Sequence, residues 1–130
     1  MADTNAAMLQ LADSFFGAIE GGDVETLRRL YADDARIWHN FDDVEQNVDD
    51  NLRVLAWLQR HLHDRRYEVI RRQALPDGFL QQHVLRGRTD AGEAFAMPAC
   101  VICRVAEGRI TRLDEYLDPA ATAALSRRTT

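Results

Sequence analysis

Lysine is absent: all 16 basic residues of the chain are arginines, set against 21 acidic ones. The resulting formal net charge of −5 argues against non-specific nucleic-acid binding, which depends on neutralising phosphates. Local pairs such as Arg65-Arg66 and Arg71-Arg72 fit the exposed faces of strands better than a phosphate patch. Long apolar runs are missing too. No stretch approaches the ~20 consecutive apolar residues that cross a bilayer. The opening Met1-Ala2-Asp3-Thr4 lacks the basic region and apolar core of a secretory signal. A cytoplasmic protein that engages neither nucleic acid nor membrane is therefore expected.

Cysteine is scarce, and its two copies, Cys100 and Cys103, have CxxC spacing. Within Ala99-Cys100-Val101-Ile102-Cys103 a strand sends them to opposite faces. No second pair of ligands accompanies them, so they read as core thiols rather than half of a zinc site. His61 and His63 lie at an i, i+2 spacing that does not share one helix face, and they read as a solvated helix end. The sequence also lacks a glycine-rich phosphate loop, a serine nucleophile elbow and a dinucleotide fingerprint. Neither a metal nor a cofactor is expected.

What the 130 residues do contain is enough for one domain with a real core, at an apolar fraction of 46%. Residues 4–20 form an amphipathic helix, with Met8, Leu11, Ala12, Phe15, Phe16 and Ile19 at spacings of three and four, and with Asp3 or Thr4 as cap. A short second helix starts at Asp23 and carries Val24, Leu27, Leu30 and Tyr31. A strand spans about 35–40, an acidic loop runs from Asp42 to Gln46, and a third helix covers roughly 48–63. The period then changes to two. Strands at about 66–75, 79–89, 94–105 and 109–117 are separated by Pro76-Asp77-Gly78, Thr89-Asp90-Ala91-Gly92 and Glu107-Gly108. Asp118-Pro119 opens a short terminal helix. Such short hairpins make the last four strands antiparallel neighbours. The three helices are the only cover for one face of the sheet, and a sheet that curls around them leaves a cavity. The fold class is α+β, a curved antiparallel sheet wrapped around three helices.

The order of elements, the segment Ile37-Trp38-His39-Asn40 before the acidic loop, and the ending Gly108-Arg109-Ile110-Thr111-Arg112-Leu113-Asp114-Glu115-Tyr116-Leu117-Asp118 resemble the SnoaL-like branch of the nuclear-transport-factor-2-like superfamily. The resemblance covers nearly the whole chain. It implies a cone-shaped α+β roll and a homodimer through the outer sheet face. It also implies a small-molecule pocket of the kind found in ketosteroid isomerases, polyketide cyclases and limonene-type epoxide hydrolases, and in non-catalytic binding domains. Fold alone does not choose among these. Laid over the epoxide-hydrolase pattern, Trp38, Asn40 and Glu115 look like the water-positioning set and His83 like the acid, with Gln81 where that family has arginine. Trp38 replaces a tyrosine hydroxyl, and His83 with Gln81 replaces an Asp–Arg pair, so the epoxide-opening acid is not in its expected form.

Alternation alone singles out Glu115. It shares a face of the last strand with Leu113 and Leu117, whereas Arg112 and Asp114 share the other. A carboxylate among apolar side chains loses hydration and becomes a proton donor or acceptor useful near neutral pH. The alternative is an ion pair with Arg86 or Arg104. His83 shares a face with Phe79, Gln81 and Leu85 and is the partner acid, or else a satisfied core histidine. Trp38 and Asn40 face inward and His39 away from them. Met97 and Trp57 join the pocket, or else the core. Two classes of function follow: a cofactor-independent acid–base enzyme acting on a hydrophobic small molecule, as isomerase, cyclase or hydratase/hydrolase, or a non-catalytic ligand-binding or dimerisation domain.

Overall fold

A computed structural model describes residues 4–126 of the chain; the cap expected at Asp3 lies outside them. Helix α1 (Thr4–Gly21) buries Ala12, Phe15, Phe16, Ala18 and Ile19, the stripe that its periodicity requires. Gly22, at φ 70°, breaks it. Asp23 then caps α2 (Val24–Leu30) by accepting from the Thr26 amide at 3.1 Å. Tyr31 does not continue that helix: its backbone is extended, and it begins β1 (Tyr31–His39), which therefore starts earlier than the alternation suggested. Within the acidic segment a two-residue strand, β2 (Glu45–Gln46), pairs with β1, and Asn47 caps α3 (Val48–His61).

Four long strands complete the sheet: β3 (His63–Leu75), β4 (Gly78–Arg88), β5 (Ala94–Ala106) and β6 (Arg109–Leu117). They pair antiparallel in succession, as their short hairpins demand. Gly78 is obligatory at the first hairpin, since a Cβ there would lie 1.8 Å from the Cys103 carbonyl oxygen. Glu107 and Gly108 take φ of 52° and 75°, the mirror-image turn that suits strand twist. The sheet order is β2-β1-β6-β5-β4-β3. One pairing corrects the sequence reading: β1 joins β6 in parallel, so the sheet is mixed rather than antiparallel throughout. Between β1 and β6 the chain runs through α3 and the whole β3–β5 meander, and a connection of that length permits parallel pairing where a hairpin cannot. Asp118 caps a closing 3-10 helix (Pro119–Ser126), its side chain accepting from the Ala120 amide at 2.9 Å.

Two buried clusters fill the roll. The larger gathers α1, α2 and β1 against β4, β5 and β6; the smaller holds Leu62, Leu85, Phe95, Met97 and Leu125. Arg65 fastens the helices to the sheet. Its guanidinium donates to the carbonyls of Ile19 at 3.3 Å, Glu20 at 3.0 Å, Gln59 at 2.9 Å and Leu62 at 2.7 Å, at the C-terminal ends of α1 and α3. His61 and His63, read from sequence as separately solvated, converge on the Asp90 carboxylate at 2.6 and 2.7 Å, because the helix ends between them. Cys100 and Cys103 are free thiols. Among the described residues no three His, Cys, Asp or Glu side chains form a metal-ligand set, and no helix is long and apolar enough to cross a membrane.

Candidate functional site

The parallel register of β1 and β6 sets Ile37 beside Leu113 and His39 beside Glu115. Side chains alternate along both strands, so these four point the same way, into a cavity of about 360 Å³ between the two core clusters. Its floor and walls are mostly apolar: Phe15 and Phe16 from α1, Leu85 from β4, Met97 and Val101 from β5, Leu113 from β6. Phe41 and Trp57 stand at the exposed rim. Into this space project the polar groups His39, Glu115, Asp42, Gln46 and Asn51.

His39 Nε2 lies 3.1 Å from Glu115 Oε1, with the two side chains only 13% and 18% exposed. Burial disfavours the imidazolium, but bonding to Glu115 and the charges of Glu115 and Asp42 outweigh it, so the His39 pKa is raised above the ordinary histidine value. Close by, Tyr31 Oη donates to Asn51 Oδ1 at 2.8 Å, and Asn51 caps the same wall.

The structure redistributes the residues expected from sequence. Glu115, Met97 and Trp57 line the cavity. The partner of Glu115 is His39, not the expected His83 nor Arg86 or Arg104. Trp38 and Asn40 do not face inward. Trp38 donates from its indole to Asp43 Oδ1 at 2.8 Å and packs edge-on against Tyr116, while Asn40 accepts the Leu117 amide at 2.9 Å. The parallel register fixes the odd-numbered face of β1 as the inner one, so the comparison with the epoxide-hydrolase pattern was one residue out of phase on this strand.

His83 and Gln81 point inward but stop in the core rather than lining the cavity. Gln81 is fully buried and His83 is 2% exposed, wedged against Phe16 and Tyr67. Arg72 Nε donates to Gln81 Oε1 at 2.6 Å, and Gln81 Nε2 lies 2.9 Å from His83 Nδ1. Arginine only donates, so the Gln81 oxygen must face it and the Gln81 amide nitrogen must donate to His83. His83 is thereby held neutral with its proton on Nε2. Burial pulls its pKa down to about 4, with Glu115 opposing and Arg72 assisting.

The two histidines make opposite contributions to stability. Folding favours neutral His83, so its contribution is complete above the unfolded value near 6.5 and is lost as pH falls from there towards about 4. That loss amounts to about 3 kcal/mol. Folding favours charged His39, whose contribution is complete below about 6.5 and fades as pH rises through its elevated value. Urea unfolding between pH 7 and 4 is expected to show the acid loss in wild type and a much flatter profile in His83→Gln; equal slopes would assign the acid sensitivity elsewhere.

Residues 12–113 match the SnoaL-like domain family. The chain belongs to that family. Among solved structures, this SnoaL-like protein is similar to a putative SnoaL-like polyketide cyclase from Jannaschia sp. CCS1, at 16% identity over 99% of this chain and 98% of that one, with a TM-score of 0.81. It is also similar to IdmH, a putative polyketide cyclase from Streptomyces antibioticus, at 23% identity over 90% and 96% of the two chains and a TM-score of 0.79. A third likeness is to an LEH-like epoxide hydrolase from M. tuberculosis, at 16% identity over 93% and 90% and a TM-score of 0.75. No curated protein matches the chain. At these identities the structures establish the nuclear-transport-factor-2-like α+β cone and nothing about chemistry.

Proposed function

We propose that this SnoaL-like protein is a cofactor-independent acid–base enzyme acting on a small apolar molecule, with Glu115 as the proton-transfer group and His39 as its partner. One observation carries the reading: a carboxylate–imidazole pair at 3.1 Å, scarcely exposed, at the polar end of a cavity otherwise walled by apolar side chains. A positioned carboxylate in such a site can take a proton from carbon next to a carbonyl. The electron pair of that C–H bond moves onto the carbonyl oxygen as an enolate, and the proton returns to the same or a conjugated carbon. His39, held towards its charged form, neutralises Glu115 between turnovers and fixes its orientation. The putative cyclase relatives are consistent with chemistry at a carbonyl, and they supply no residue role to this chain.

The test needs no natural substrate. β-Tetralone, a compact aromatic ketone with acidic α-protons, is incubated with the protein in deuterium oxide and its proton signals followed by NMR. Exchange above the buffer rate is expected. Saturable binding of the ketone without any acceleration would favour the binding-domain reading instead.

A further inference from the structure

The cavity carries charge of one sign. None of the chain's 16 arginines lines it, whereas two carboxylates, Glu115 and Asp42, do. Each carboxylate brings one negative charge, so the lining stays negative even when His39 is protonated. His39 itself reports that sign. Burial opposes its imidazolium, yet the bond to Glu115 and the charges of Glu115 and Asp42 raise its pKa. A cleft with apolar walls and charge of one sign concentrates its field on whatever enters. An anionic group would find no cation there except the one that already serves Glu115.

Asp42 is the outer of the two charges, on an exposed loop, and its position is fixed. The Asp43 amide donates to the His39 carbonyl at 3.3 Å, and the Val44 amide donates to Asp42 Oδ1 at 3.1 Å. The neighbouring carboxylates are otherwise engaged. Glu45, Asp49 and Asp50 meet Arg112, Arg28 and Arg53, and Asp43 takes the Trp38 indole at 2.8 Å. Asp42 has no arginine and no side-chain donor among the described residues. Two aromatic rings border the same mouth: Phe41 and Trp57 are 47% and 36% exposed. Phe41 packs on His39 with centroids 5.5 Å apart, and Trp57 packs on His61 at 4.6 Å, so both rings are supported. The face of such a ring attracts a cation and repels an anion.

We propose that the site selects molecules with an apolar body and a protonated amine, the ammonium resting at the mouth against Asp42 and the rings of Phe41 and Trp57. This deepens the acid–base reading and rests on its assignment of the cavity as the ligand site. The division of the lining matches such a molecule. Phe95, Met97, Leu85 and Val101 take the apolar body, while the one uncompensated carboxylate stands where the cavity meets water. An ammonium there keeps part of its hydration, so it gains the attraction of Asp42 without the full cost of burying a charge. The same placement leaves Glu115 and His39 to the uncharged part of the molecule, where a proton is to be moved.

The experiment compares three probes with one ring system by calorimetry: 2-aminotetralin as cation, tetralin as neutral compound and tetralin-2-carboxylate as anion. Wild type is expected to bind the amine about 3- to 10-fold more tightly than tetralin, and the carboxylate more weakly than tetralin by a similar factor. The differences should shrink at about 1 M salt, where charges are screened beyond ~3 Å. Asp42→Asn keeps the oxygen that accepts the Val44 amide. It is therefore expected to unfold at the wild-type urea midpoint and bind tetralin unchanged, yet lose most of the amine preference. Glu115→Gln is expected to retain that preference. An amine preference that survives in Asp42→Asn, or that disappears in Glu115→Gln instead, would overturn the role of Asp42. Equal binding of the three probes by wild type would overturn the inference, and α-proton exchange of the neutral β-tetralone would still stand as separate support for the acid–base reading. Failure of wild type to bind any of the three would overturn the pocket reading itself, and this inference with it.

Discussion

Glu115→Gln is expected to slow α-proton exchange of β-tetralone by a factor of ~10²–10⁴ while leaving the unfolding midpoint close to wild type. The amide keeps the volume of the carboxyl group, and its oxygen still accepts from His39, so the geometry of the cavity is retained. What disappears is the ability to hold a proton. Because Leu113 and Leu117 flank the group on its own face, no other carboxylate of β6 can take over; Asp114 points to the opposite side and pairs with Arg112 at 2.9 Å. Asp42, the nearest alternative, sits in the loop after β1 and also lines the cavity. The double comparison with Asp42→Asn therefore decides between them. Full exchange activity in Glu115→Gln, with loss in Asp42→Asn, would transfer the base to the loop.

Arg65→Ala should be the most destabilising single change outside the apolar core, at about 2–4 kcal/mol by urea unfolding. From the start of β3, one guanidinium serves four backbone carbonyls at the ends of two helices. Removing it takes a charged donor from all four, three of them in part-buried bonds, and each bond from a charged group is worth more than a neutral one. Lysine in its place has a single nitrogen and cannot span the four, so Arg65→Lys is expected to recover less than half of the loss. A variant within about 0.5 kcal/mol of wild type, the range of ordinary surface changes, would show that water replaces the side chain at little cost.

The elements of this fold were legible because each is marked locally. Pro76-Asp77-Gly78 and Glu107-Gly108 punctuate the hairpins, and the observed strands differ from the expected ones by a few residues. The parallel docking of β1 on β6 was not legible, since it joins residues 76 to 79 positions apart and leaves no local trace. The site failed at that same place. Ile37-Trp38-His39-Asn40 offers an apolar residue to each face, and the choice of Trp38 and Asn40 followed the epoxide-hydrolase pattern laid over them. A better signal lay one turn of the alternation earlier: Asp34 and Arg36 share the face of Trp38, and charges there belong in water, whereas Ala35 and Ile37 share the face of His39 and are fully buried.

The cavity floor is also the centre of the larger core: Phe15, Phe16, Ile19, Tyr31 and Ile37 belong to both. Directed evolution of this scaffold towards other substrates is thereby confined. Changes at the floor trade directly against the ability to fold, since each deleted side chain opens a void in packing that holds α1 to the sheet. The rim is different. Phe41, Val54 and Trp57 border the same space yet remain substantially exposed, so a library there can reshape the entrance at small thermodynamic risk. Selectivity in this protein is accordingly free to drift from the loop after β1 and the outer side of α3, while the inner wall stays fixed by the demands of the fold.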